Sequence, residues 1–132
     1  MYDVGYGAFK CIEDFLSFLK AKNIQVVVDV RAFPRSRIKG FSCDELKREL
    51  EKNGLEYVWL GDKLGGFRRG GYERYTKEEG FKRGLEILSI IARDKKVCLM
   101  CLERDRRFCH RRFIVEELRS VGFEVKDLVR GD

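Results

Sequence analysis

The stretch KVCLMCL, residues 96–102, is an almost unbroken apolar run, and VVVDV at residues 26–30 has the same character. Strands covered on both faces carry such runs, whereas a strand with one wet face alternates apolar and polar residues. Two runs of this kind predict a parallel sheet with helices packed on either side. Three weaker strands complete it: YDVGY at 2–6, EYVWL at 56–60 and FEVKDL at 123–128.

Between the strands the apolar period becomes that of a helix. Ile12, Phe15, Leu16 and Leu19 share one face, and Leu46 and Leu50 anchor a second helix. Phe81, Leu85, Leu88 and Ile91 mark a third, and His110, Ile114, Leu118 and Val121 a fourth. Ser42 with Glu45, and Thr76 with Glu79, have the spacing of capping boxes. Asn53 and Gly54 supply a helix end. The succession β-α-β-α-β-α-β-α-β predicts a single three-layer α/β domain over residues 1–132, with a mainly parallel five-stranded sheet and helices on both faces. It leaves the strand order open.

A chain of 132 residues supports one core and one cleft. No apolar run approaches the roughly 20 residues of a membrane-spanning helix, and MYDVGYGAFK reads as a first strand rather than a leader. A cytoplasmic protein without membrane contact is expected. Five cysteines, an odd number, argue against a disulfide framework. The wealth of Lys, Arg and Glu beside almost no Asn, Gln or Thr is a thermophile-like composition, in which one intracellular bridge is admissible.

The net charge of +6 invites an anionic partner if the cations cluster. Ligands of open parallel sheets bind outside the carboxyl ends of the strands. The segments there are GYGAF, DVRAFPRSR, LGDKLGGFRRGGYERY and CLERDRRFCHRR. They hold Arg31, Arg35, Arg37 and Lys39, then Arg68, Arg69 and Arg74, then Arg104, Arg106, Arg107, Arg111 and Arg112. One anion-attracting rim is predicted from these three groups.

The ordered set Asp29, Arg31, Pro34 and Ser36, then Phe41, Tyr57, Leu64, Gly65 and Gly66, then Cys101, Glu103, Cys109, His110 and Arg111 resembles the domain of unknown function 488 family along nearly the whole chain. That resemblance implies an α/β fold and a motif set, and brings no settled reaction with it. The family often carries a histidine near the end of its first strand, where this chain has Tyr6 and Gly7.

Read as chemistry, Cys101 and Glu103 stand two apart on a strand and face one way, which puts Glu103 at the cleft floor as a general acid or base and Cys101 in the pocket wall. The plainer alternative packs Cys101 in the core and ties Glu103 to an arginine. Cys109, at the start of the last helix, is the expected nucleophile, because helix-end N–H groups favour a thiolate. His110 points toward the sheet, either as a core imidazole bonded to a strand end or as part of the site. Adjacent helical residues diverge by about 100°, which places it poorly for taking a proton from Cys109. Cys101, Glu103, Cys109 and His110 number four zinc-type ligands, but the Cys98 and Cys101 pair points to opposite faces, and neither metal nor cofactor is expected.

Asp29 either fixes the loop after its strand or joins the site, while Arg31 and Arg111 are fork-shaped donors for phosphate or carboxylate. Ser36 offers a hydroxyl. Gly65 and Gly66 belong to a long segment at 61–75 that is either a lid or a surface excursion. The expected catalytic residues are Glu103, Cys109 and His110; the expected binding residues are Asp29, Arg31, Ser36, Gly65, Gly66, Cys101 and Arg111. No dinucleotide or P-loop glycine pattern occurs. The favoured function is a hydrolase or transferase acting on a phosphate-bearing small molecule or nucleic-acid component. The alternatives are a noncatalytic nucleic-acid binder stacking bases on Phe67, Tyr72 and Tyr75, and an adaptor. Oligomeric state is open.

Overall fold

The computed structural model describes residues 1–103 and 109–127. Five strands, β1 (Tyr2–Gly5), β2 (Val26–Asp29), β3 (Glu56–Trp59), β4 (Val97–Cys101) and β5 (Lys126–Asp127), form one sheet in the order β3-β2-β4-β1-β5. Every pairing is parallel. The helices are α1 (Ile12–Ala21), α2 (Cys43–Lys52), α3 (Gly61–Leu64), α4 (Tyr72–Tyr75), α5 (Glu79–Asp94) and α6 (Arg111–Ser120), with a 3-10 turn at Tyr6–Ala8.

The two apolar runs occupy the middle of the sheet, where both faces are covered. Val27, Cys98 and Met100 join Phe15, Leu19, Leu46 and Leu50 of α1 and α2 in one core layer. Val26, Val28, Val97, Leu99 and Cys101 join Phe81 and Leu88 of α5 and Ile114 and Leu118 of α6 in the other. Alternation along the strand therefore sends Cys98 and Cys101 to opposite layers, as their spacing predicts.

Local signals fare unevenly. Ser42 is the residue before α2, but its hydroxyl accepts from the Ser36 N–H at 3.0 Å and donates to the Ser36 carbonyl instead of capping the helix. Glu45 reaches the Gly40 N–H. Thr76 ends α4, and Glu78 precedes α5, so the second capping box is not formed. The Thr76 hydroxyl is drawn to the Glu73 carbonyl at 2.6 Å. Gly54 adopts φ +77 after α2, the left-handed stop its position requires. Val121 is exposed, because α6 stops at Ser120 and the chain turns away there. Within the described residues β5 is only two residues long, and Leu128 of the expected strand lies outside them. No helix among the described residues is long and apolar enough to cross a membrane.

Among the described residues Arg111 is the largest side chain that the fold buries completely. Its Nε pairs with the Asp3 carboxylate, and its Nη1 donates to the Val4 and Glu103 carbonyls at 2.9 Å each. Asp3 sits in register with Asp127, and both are buried. The first residue of α6 is thus bolted through the sheet edge to β1.

Candidate functional site

The topology opens a crevice at the carboxyl edge. After β1 and β2 the chain turns to the α1/α2 face, whereas after β4 it turns to the α5/α6 face. Because β4 lies between β2 and β1, its exit diverges from both neighbours. A cavity of about 600 Å³ fills the gap. Its walls are Tyr6 after β1; Arg31, Ala32, Phe33 and Arg35 after β2; Gly66, Phe67, Arg68 and Tyr72 from the segment between β3 and α5; and Cys101, Leu102, Glu103, Cys109 and His110 after β4.

The β2 wall is held by a buried ion pair. Arg31 Nε reaches both Asp29 oxygens at 2.9 and 3.1 Å, its Nη2 reaches Oδ2 at 2.7 Å, and its Nη1 donates to the Phe41 carbonyl at 2.7 Å. The Tyr57 hydroxyl donates to Asp29 at 2.6 Å, and burial, then the Asp29 charge, push the Tyr57 phenol far above its ordinary value. The Arg31 guanidinium also lies 5.2 Å from the Tyr6 ring centroid, and Tyr6 stacks on Phe41. Arg31 is a wall of the cavity, but its fork is committed to Asp29 rather than free to clamp a ligand. Asp29 is fully buried beneath it and does not line the cavity.

Other expected binders are also turned inward. Arg111 is buried and ion-paired, outside the cavity lining. The Ser36 hydroxyl accepts from the Ile38 N–H at 3.0 Å and stays within its own loop. Gly65 packs so closely on Ala32 that a Cβ would come within 2.8 Å of it, a packing role rather than a contact with the cleft. Glu103 lies past the end of β4, where strand alternation no longer holds; it is exposed, and it lines the cavity.

The segment at 61–75 is braced rather than loose. The Tyr72 and Tyr75 hydroxyls donate to the Leu64 and Lys63 carbonyls at 2.7 and 2.6 Å. Arg68 donates to the Gly65 and Asp62 carbonyls and covers the Tyr75 ring at 3.9 Å. Tyr75 is therefore buried, and Tyr72 packs against His110 and Phe113. Tyr75 is thus withdrawn from solvent, while Tyr72 lines the cavity half-buried. The exposed pair at the mouth is Phe67, 90% exposed, and Phe33, 72% exposed, with ring centroids 5.8 Å apart. Phe33 escapes sequence reasoning, although an aromatic between Arg31 and Pro34 in a strand-end segment is a usable signal.

Cys101, Cys109 and His110 close the floor, with their ligating atoms all within 4.8 Å of one another. The two thiols face each other within 4.8 Å, and their mutual interaction sets the first ionisation of the pair below, and the second above, the ordinary value of a thiol. His110 comes to 3.7 Å from Cys109 Sγ through Nδ1, because regular helix begins only at Arg111 and the 100° offset does not govern the bend before it. Its Nε2 lies 2.9 Å from the Val30 carbonyl. Burial holds the imidazole below its ordinary value. All five cysteines are free thiols.

The cations of the rim are Arg35 and Arg68, with Arg31 in the wall behind them. Arg104, Arg106 and Arg107 of the third basic group lie outside the described residues.

Residues 11–118 match the model of the family described as Domain of unknown function DUF488. The chain belongs to that family. No curated protein and no solved structure matches it. In this DUF488 member the motif residues divide into two kinds. Asp29, Arg31, Tyr57 and Arg111 hold the strand ends in place, while Gly66, Cys101, Cys109 and His110 meet in the cavity.

Proposed function

We propose that this chain is an enzyme, a hydrolase or transferase, that works on a phosphate-bearing substrate with a flat ring, such as a nucleotide or a nucleic-acid component. One observation carries the reading: thiols, imidazole, a carboxylate, guanidinium groups and exposed aromatic rings all border a single cavity at the carboxyl edge of the sheet. A surface that only binds needs the cations and rings, and has no use for two thiols and an imidazole at its floor. In this reading Phe33 and Phe67 hold the ring of the substrate, and Arg35 and Arg68 receive its anionic group. Glu103 at the wall serves as acid or base, and Cys101, Cys109 and His110 are the reactive floor.

A specific observation favours a second reading. The solvent-facing Phe33 and Phe67 pair, next to Arg35, also suits single-stranded nucleic acid without chemistry. Calorimetry with nucleoside monophosphates and with ribose phosphate separates the contributions. Arg35→Ala is expected to weaken both ligands by about 10- to 100-fold, and Phe33→Ala only the ligand with a base. Turnover of phosphate esters that falls in Glu103→Gln and Cys109→Ser, with affinity kept, supports the enzyme. Tight binding of oligonucleotides with no turnover of any phosphate ester supports the binder, and no binding of either ligand refutes both.

A further inference from the structure

We infer that Cys101, Cys109 and His110 form a zinc site with three protein ligands and a fourth position open to the cavity. The donor atoms are already close to the required spacing. Tetrahedral zinc with bonds near 2.3 Å to sulfur and 2.0–2.1 Å to nitrogen sets its ligand atoms about 3.5–3.8 Å apart. Cys109 Sγ and His110 Nδ1 stand 3.7 Å apart, and all three donor atoms fall within 4.8 Å of one another. Closing the triangle around an ion takes a movement of about 1 Å at most.

The imidazole is set for this use. A backbone carbonyl only accepts, so the 2.9 Å contact with Val30 requires the proton on Nε2 and leaves the Nδ1 lone pair facing the thiols. A ligating histidine anchored by its far nitrogen on a carbonyl is the usual outer arrangement of a metal centre. One sulfur also has an outer partner: the Arg111 N–H donates to Cys109 Sγ at 3.4 Å.

Space at the lone pair is kept open by a residue without a side chain. A Cβ at Gly66 would lie 3.0 Å from His110 Nδ1, where it would crowd the approach of an ion. Charge also balances. Zinc displaces both thiol protons to solvent, and two thiolates with a neutral imidazole give a dication no net charge, which suits a floor where both cysteines are buried. Two thiolates with an imidazole select zinc among the common divalent ions, whereas magnesium and calcium require oxygen donors. Three protein ligands facing a cavity are the pattern of a catalytic centre, since structural sites close the fourth position with protein.

Only the use of that open position rests on the proposed enzyme function. The test therefore reads metal without substrate, and ligand affinity is measured separately on chelator-treated protein. Full-length chain purified under reducing conditions is equilibrated with zinc, dialysed and analysed for metal. About one zinc per chain is expected, with affinity reduced more than about 100-fold in Cys101→Ser, Cys109→Ser and His110→Ala. Cys43→Ser, on α2, is expected to retain the metal. Gly66→Ala, in the braced segment, keeps the three ligands and is expected to weaken zinc by about 10-fold, which guards against a ligand variant that does not fold. Cobalt in place of zinc is expected to give thiolate charge-transfer absorption that shifts when azide is added. Absence of stoichiometric zinc with all five thiols still titrating overturns the site, as does a loss of two thiols to a disulfide without metal. Zinc that persists in both cysteine variants overturns the ligand assignment. A cobalt spectrum indifferent to azide overturns the open position.

Discussion

Removing Arg111 tests whether it is a structural bolt. Arg111→Met keeps much of the volume but removes the cation that pairs with the Asp3 carboxylate and the donor to the Val4 carbonyl. Breaking one side of a buried ion pair costs about 3–5 kcal/mol. Unfolding entropy of about 2.1 cal/mol/K per residue gives about 0.28 kcal/mol/K for 132 residues. Division gives a fall in Tm of about 11–18 °C, to be read by calorimetry. Asp3→Asn in the Arg111→Met background is expected to recover part of the loss, and the double-mutant cycle isolates the coupling. A fall of less than about 4 °C, or coupling below about 0.5 kcal/mol, refutes the reasoning and returns Arg111 to the pool of ligand-binding candidates.

Other named contacts are open to the same kind of test. Tyr57→Phe removes the hydroxyl that meets the Asp29 carboxylate, and urea melts are expected to show a loss of about 1.5–3 kcal/mol. Gly61→Ala drives a Cβ to within 1.9 Å of the Arg31 carbonyl and 2.3 Å of Trp59 Nε1, so a loss of about 2–3 kcal/mol or more is expected; an unchanged melt contradicts the close approach of α3 to the β2 wall. Phe33→Ala and Phe67→Ala truncate exposed rings, so stability is expected to hold within about 0.5 kcal/mol while binding of a base-bearing ligand weakens by about 1–3 kcal/mol per ring. A matching drop in Tm would show that these rings pack the fold instead.

The sheet is legible in the sequence because a short apolar run with neither a 3.6-residue period nor strict alternation suits a strand covered on both faces, and both such runs sit in the middle of the sheet. The strand-end rule then points to the four segments that line the cavity. What the residue string hides is pairing. An arginine in a motif looks alike whether it faces a ligand or a buried carboxylate, and the partner of Arg111 lies at the far end of the chain in Asp3. Parity does not reach Glu103, because β4 stops at Cys101, two residues before it, and Glu103 lines the cavity as an exposed residue. The helical wheel rightly turns His110 toward the sheet, where its Nε2 meets the Val30 carbonyl, but its offset from Cys109 does not hold because both stand before the regular turns of α6. The capping boxes fail for a local reason: each hydroxyl finds a carbonyl or N–H of its own loop first.

The strand order also constrains how the chain comes together. Of the five strands β1 comes first in the chain, yet its two neighbours are β4 and β5, so its sheet partners are made only with residues 97–101 and later. During synthesis the opening strand waits unpaired while α1, β2, α2 and β3 can already assemble as a local unit. Contacts spanning most of the chain are the slow ones to form, since their loop-closure entropy is lost before any pairing compensates it. The crevice that holds the thiols is therefore among the last features to appear: its two sides belong to the early unit and to the late strands, and it exists only once β4 has slotted between β2 and the waiting β1.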